Sequence, residues 1–364
     1  MNPFMKIMQL FGMMTVTVLG MLVLLLVTPD LEDSLLRVVG RYRHRHALSH
    51  SAVGQPDLSS PEVSNLDLLD TNIRGPALDH GRRAFSPWPF SAECARFQVH
   101  FARPRSLPMT ALVSFPGSGN TWLRYLIETA SGVFTGSVYT DRQIISKGFY
   151  GEAVSPDCGC TAVQKTHGFS VAGVVPLAAA QRAAEVRVFR GRGILLLRNP
   201  YEALISYRNF LYGGHTGFAP RTRFQGPEWE RFASQLALVW RELAATWANY
   251  THADEATLLH FERLRLEPSS ELRRLLRFLR LAVDERRLAC VLRHADGPFR
   301  RPPASSQQAL FSARDPFSKK LHKILDQVIH DLDRTIQKRG WGRIPTHLYK
   351  FYTGNLHHNV SDVH

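Results

Sequence analysis

The chain opens on its strongest apolar signal. No charged side chain occurs between Lys6 and Asp30, and Ile7 to Val27 is rich in Met, Leu and Val. A helix of that length crosses a hydrocarbon core about 30 Å thick. Residues 7–28 are therefore expected to be a transmembrane signal-anchor behind a short tail, residues 1–6. A cleaved signal peptide is the competitor; its apolar core would be shorter and end in a small-x-small site, which is not evident here. Residues 29–105 are rich in Ser, Pro, Asp, His and Arg and show little periodicity. They read as a stem.

From about residue 106 the pattern becomes that of a folded domain, expected to run to 345 and to leave 346–364 as a tail. Met109 to Phe115 is a short apolar run, predicted as a buried strand. Pro116 to Asn120 is a Gly-rich turn, and Thr121 to Ala130 carries Trp122, Leu123, Leu126 and Ile127 at helical spacing. Gly193 to Leu197 and Ala256 to Phe261 are two further strands. Residues 228–248, the stretch opened by Pro268, and residues 318–338 each show one apolar stripe of helical period, the mark of core-packing faces. Apolar strands alternating with amphipathic helices imply an α/β fold with a parallel sheet covered on both faces.

Charge changes the picture next. The 364 residues carry a formal net charge of +14, which favours anionic partners. Nucleic acid is not expected: there is no zinc-finger spacing, no basic heptad helix and no RNP-like aromatic strand. Four cysteines, Cys94, Cys158, Cys160 and Cys290, suggest two disulfides in an oxidising compartment. Cys158 and Cys160 are one residue apart, so each is expected to pair with Cys94 or Cys290. Sequons at Asn249 and Asn359 are compatible with a luminal C-terminal part. The basic side chains argue the other way, because Lys6 alone precedes the span while Arg37, Arg41, Arg43 and Arg45 follow it.

Three segments carry candidate chemistry. The strand–loop–helix unit Ser114 to Trp122 offers glycines for close backbone approach and a helix N-terminus for an anion. Ser118, Asn120 and Thr121 can add side-chain donors. No Lys follows Gly119, so this is not a Walker A loop. Arg198-Asn199-Pro200, after the second strand, places a guanidinium fork where a phosphate could sit, and Ser206 follows two helical turns later. Between them, Lys165-Thr166-His167 combines a cation with an imidazole suited to take a proton near neutral pH. Alternation in an extended segment would put Lys165 and His167 on one side.

In this order the segments resemble the sulfotransferase family, whose cytosolic members carry Pro-Lys-Ser-Gly-Thr-Thr-Trp where this chain has Pro116-Gly117-Ser118-Gly119-Asn120-Thr121-Trp122. The resemblance implies a P-loop NTPase-like sheet and a donor, PAPS (3′-phosphoadenosine 5′-phosphosulfate), that leaves as PAP. It implies that Pro116 to Trp122 binds the 5′-phosphosulfate with Trp122 on adenine, and that Arg198 and Ser206 hold the 3′-phosphate. It further implies His167 as general base and Lys165 as the cation at the transferring group. The departure is Gly117, where cytosolic relatives have a Lys. A third donor segment is expected at Phe299-Arg300-Arg301, with Lys338-Arg339-Gly340-Trp341 as its rival. Since Lys, Arg and helix N–H groups can neutralise the charge, no metal is expected.

The likeness narrows further over about residues 105–345. Tyr125-Leu126-Ile127-Glu128, Arg198-Asn199-Pro200-Tyr201 and Tyr212-Gly213-Gly214-His215-x-Gly217-Phe218 are similar to the catalytic domain of WSC-domain-containing sulfotransferases, without the WSC modules. That resemblance implies a single-pass type II Golgi membrane protein with its catalytic domain in the lumen. The acceptor it implies is a glycan hydroxyl, sialic acid among them, on glycoproteins or glycolipids.

Overall fold

The computed structural model describes residues 75–252, 254–298 and 314–354. The expected membrane span, most of the stem, Arg300, Arg301 and Asn359 lie outside them. Among the described residues no helix is long and apolar enough to cross a membrane.

Two short strands come first, β1 (Leu78–Asp79) and β2 (Phe101–Ala102), paired antiparallel. Five more form the main sheet: β3 (Ala111–Ser114), β4 (Gly136–Ser137), β5 (Gln164–Thr166), β6 (Gly193–Leu197) and β7 (Ala256–His260). Every pairing is parallel and the order is β4-β5-β3-β6-β7. The helices are α1 (Asn120–Ser131), α2 (Arg142–Ile145), α3 (Ala179–Val188), α4 (Pro200–Gly213) and α5 (Gly226–Tyr250). They continue with α6 (Phe261–Leu266), α7 (Pro268–Phe278), α8 (Glu285–Arg293) and α9 (Lys319–Lys338).

The strands are apolar throughout because both faces are covered. Val113, Leu195 and Leu197 join one cluster with α4, α5 and α9. Leu112, Ile194 and Leu196, alternating with them, join a second with α1, α7 and α8. The period of two thus sorts one strand's side chains between two cores. On the first face Trp240, Leu243 and Trp247 of α5 and Leu325, Leu332 and Ile336 of α9 are all buried.

Three expectations are corrected. The domain begins before residue 106: Trp88, Cys94, Phe97, Val99 and Phe101 are all buried in its cores. These residues sit in or beside turns, an isolated bridge and a two-residue strand, which leave no periodic signal. The domain also continues past 345, where Tyr349 is buried and the Lys350 carbonyl accepts from Asn199 Nδ2 at 2.9 Å. Finally, the disulfides are Cys94–Cys290 and Cys158–Cys160. Gly159 at φ +58° folds the chain back between the latter pair, bringing their Cα atoms to 5.2 Å. A side chain at 159 would meet Arg105 Cα at 2.9 Å. Cys94, distant in sequence, instead ties the N-terminal segment to α8.

Candidate active site

Strand order decides where a site can form. The chain leaves β3 for β4 on one side, then crosses from β5 over to β6 on the other. The carboxyl end of β3 therefore faces the crevice at which such sheets bind ligands. Three segments meet that edge: the loop after β3, His167 after β5 and Arg198 after β6.

The loop from Phe115 to Gly119 is shaped by two left-handed glycines, Gly117 (φ +81°) and Gly119 (φ +89°). Neither tolerates a side chain. A Cβ on Gly117 would lie 2.5 Å from the Ala203 carbonyl oxygen and 2.8 Å from the Tyr207 nitrogen; one on Gly119 would lie 2.6 Å from the Phe261 ring. Helix α4 thus fills the space that a Lys at 117 would need. Gly119 also caps α1, whose first N–H groups have no intrahelical acceptor.

Arg198 reaches this loop. Its Nη1 donates to the Gly117 carbonyl at 2.8 Å, and its guanidinium lies 4.3 Å over Phe261. Burial lowers its pKa, against the nearby carboxylates Glu202 and Glu262. Ser206 meets the same place, with its Cβ 3.2 Å from where a Cβ on Gly117 would be. Ser118 Oγ and Arg198 Nε are buried donors without a hydrogen-bond partner. Buried donors seldom go unpaired, and an anionic group at the loop would satisfy them. Trp122 is partly exposed, donates Nε1–H to the Ala295 carbonyl at 2.7 Å and meets Phe261 edge-on. Asn120 is different: its Nδ2 is committed to Leu112 O and Ser114 Oγ, both at 3.1 Å. Its side chain braces β3, so toward a ligand it offers its backbone N–H. Pro116 is buried behind the loop, and Thr121 is half-buried at the first turn of α1.

His167 stands beside the end of β3. Its Nδ1 is 2.8 Å from the Ser114 carbonyl. A carbonyl only accepts, so Nδ1 carries the proton and Nε2 keeps its lone pair. Burial, then the charge of Lys165, push its pKa down to about 3, while the Ser114 contact pulls upward. The ring is therefore neutral near pH 7, and an anion bound beside it would raise that value. Lys165 is 8% exposed, and burial lowers its pKa against the pull of Glu152. The expected alternation stops short, because His167 (φ −112°, ψ 1°) has already left the strand. Lys165 still lies close enough for its charge to lower the His167 pKa.

Tyr139 and Phe261 carry no sequence signal of their own. The Tyr139 hydroxyl accepts the His167 backbone N–H at 2.9 Å, and its ring stacks on the imidazole with centroids 5.8 Å apart. Phe261 wedges between Trp122 and Arg198. The motif from Tyr212 to Phe218 forms a tight turn: a Cβ on Gly213 would lie 2.5 Å from Phe218 N, and one on Gly217 2.3 Å from Gly213 O. That turn delivers His215 to Asp141 at 2.8 Å, and Asp141 caps α2. Arg339 sits elsewhere, contacting Thr251 Oγ1 at 3.4 Å. Thr251 lies between α5 and β7, at the amino edge of the sheet, so Lys338-Arg339-Gly340-Trp341 is not part of this crevice. Asn249 is exposed at the end of α5.

Three comparisons say what the chain is similar to. The sulfotransferase domain family matches residues 189–299. A WSCD family member of Aedes aegypti is 34% identical over 223 residues, covering 60% of this chain and 63% of that protein. One from Drosophila melanogaster is 36% identical over 203 residues, covering 54% of this chain and 58% of its own length. The matched part thus spans less than two thirds of these relatives. Among solved structures, mouse sulfotransferase SULT7A1 complexed with PAP covers 64% of this chain and 86% of its own at 14% identity, with a TM-score of 0.39, too low to carry an argument. Residues 189–299 thus match the sulfotransferase domain family, and the chain is similar to WSCD family members over part of their length.

Proposed function

We propose that this protein transfers a sulfuryl group from PAPS to a hydroxyl of a glycan, sialic acid being the acceptor first to be tried. The observation that carries the reading is the meeting of the Ser114–Trp122 loop, Lys165-Thr166-His167 and Arg198 at the carboxyl ends of three adjacent strands. The loop N–H groups, Ser118 and Arg198 fit an anionic donor. His167 Nε2 takes the proton of the acceptor hydroxyl as its oxygen bonds to sulfur and the bond from sulfur to the phosphate oxygen breaks. Lys165 stabilises charge on the transferring oxygens, and Arg198 with the loop N–H groups holds the departing phosphate. Catalysis then rests on positioning and electrostatics, as in phosphoryl transfer.

Incubating the full chain with labelled PAPS and sialylated or neutral glycans tests this. Label should pass to at least one glycan; absence of transfer together with absence of PAP binding would sink the reading. A second reading follows from Gly117, where α4 excludes any side chain: a donor-binding module without turnover. It is supported instead if PAP binds and no glycan is labelled. We place the protein in the Golgi membrane, single-pass, with its domain luminal. Glycan attached to Asn249 in cells, and protection of a C-terminal tag, are the expected results; a cytosolic tag defeats the placement.

A further inference from the structure

Glu185 on α3 is a buried acid that the mechanism above does not use. Its carboxylate lies against the turn just after His167. Oε2 accepts the Phe169 N–H at 2.9 Å, and Oε1 accepts Trp247 Nε1–H at 3.4 Å. At Gly168 (φ +50°) a Cβ would stand 1.8 Å from Oε1, so the glycine is what lets the carboxylate come so close. The turn closes on itself, since Ser170 N donates back to the His167 carbonyl at 3.1 Å.

We propose that Glu185 is a positioning residue for His167: it fixes the turn that aims the imidazole at the donor crevice. This rests on the sulfotransferase reading for its consequence in turnover, though not for its geometry. His167 is held from three sides. The Ser114 carbonyl takes the ring proton, Tyr139 takes the backbone N–H, and Glu185 holds the next N–H but one. The first two fix where the residue attaches; the third, with the Gly168 N–H on Thr166 Oγ1 at 3.0 Å and the Ser170 N–H on the His167 carbonyl, fixes how the chain leaves it. Glu185 is itself pinned by Trp247, which is fully buried in α5. Among the described residues no cation pairs with it, and burial holds its carboxyl up at about 7. A buried acid without a counter-charge is costly to keep. What Oε2 supplies to the turn is one acceptor oxygen, which an amide oxygen can supply as well, at the expense of the longer Trp247 contact to Oε1 that an NH2 group cannot accept.

That equivalence gives the test, on the full chain with PAPS and the acceptor found above. Glu185→Ala should lower kcat roughly 10- to 100-fold and leave KM for PAPS within about twofold. Glu185→Gln should restore kcat to within about threefold of wild type. Glu185→Leu, which fills the space without an acceptor, should behave as Ala and guards against simple cavity collapse. A readout independent of turnover is the His167 tautomer, from ring carbon shifts of histidine-labelled protein with His167→Gln as the subtraction control. Wild type and Gln should hold the Nδ1–H form, while Ala and Leu should show a mixture. The proposal is overturned if Leu keeps wild-type kcat and tautomer, or if Gln loses as much as Ala. Should wild type transfer nothing, the function proposed above fails, and the tautomer alone judges Glu185.

Discussion

Single residues set the chemistry, and two of them make sharp predictions. Gly117 is not a vacancy where a lysine was lost. Its left-handed backbone and the α4 backbone 2.5 Å from a Cβ position exclude any side chain. Gly117→Lys should therefore not raise activity. It should destabilise by about 2 kcal/mol or more through backbone strain alone and weaken PAP binding, read by thermal unfolding and titration calorimetry. A gain in kcat would overturn the account. At His167 the value of about 3 comes from burial first and then from the charge of Lys165. Bound PAP adds negative charge beside it, so the pKa should rise on binding, followed by histidine NMR with and without PAP. His167→Ala should abolish turnover while PAP still binds; transfer that survives this change refutes its role as base.

At the scale of elements, the helices hold the proposed donor-binding segments in place. Asn199 caps α4 by accepting the Tyr201 N–H at 3.1 Å and donates to the Lys350 carbonyl, while its own N–H goes to Glu262. Trp240 of α5 donates Nε1–H to the Arg198 carbonyl at 3.1 Å and is 1% exposed. One side chain thus packs the core and steadies Arg198, the arginine proposed to hold the donor. Trp240→Ala should cost about 3–5 kcal/mol by cavity formation. Trp240→Phe keeps most of the ring and leaves the Arg198 carbonyl unpaired, for about 1–3 kcal/mol. In denaturant titrations the two should rank in that order, and the Phe variant should still raise KM for PAPS. An unchanged KM would separate α5 from the donor site.

Across the whole molecule, buried titratable groups and the disulfides govern stability. Burial raises Glu128 and Glu185 to about 7. In the unfolded chain each is ionised above about 4.5, so their contribution is full below that pH and is lost as pH rises through 7. Burial lowers His167 and His260 to about 3. Their contribution is full above about 6.5 and is lost as pH falls toward 3. Between about 4.5 and 6.5 the two pairs offset one another. Unfolding free energy from these four groups should be flat there, fall on the alkaline side until about 7, and fall on the acid side. Glu128→Gln should shrink the alkaline limb, and an unaltered limb would show that Glu128 does not carry it. Cys94–Cys290 spans 196 residues, so by chain entropy its removal should cost about 5 kcal/mol. Removal of Cys158–Cys160, separated by two positions, should cost far less. Thermal unfolding of the two Cys→Ser double variants compares them.

Much of this was written in the sequence. Apolar runs at 111–114, 193–197 and 256–260, and stripes of helical period in α5, α7 and α9, were legible because burial on two faces or one imposes a simple repeat. The loop with its glycines, Lys165-Thr166-His167 and Arg198-Asn199-Pro200 were legible as local chemistry in a fixed order. What only the tertiary structure decided lies in long-range contacts that leave no period. Residues 78–102 enter the core through turns, bridges and two-residue strands, Cys94 finds Cys290 across the fold, and Cys158 finds Cys160 where Gly159 turns left-handed. The same holds within the site. Tyr139, Phe261 and Glu185 stand there because the fold brings them beside His167 and the loop, and the meaning of Gly117 depends on a helix some eighty residues further along the chain. Sequence names a group's chemistry; its neighbours, and so its protonation and aim, exist only once the chain has closed on itself.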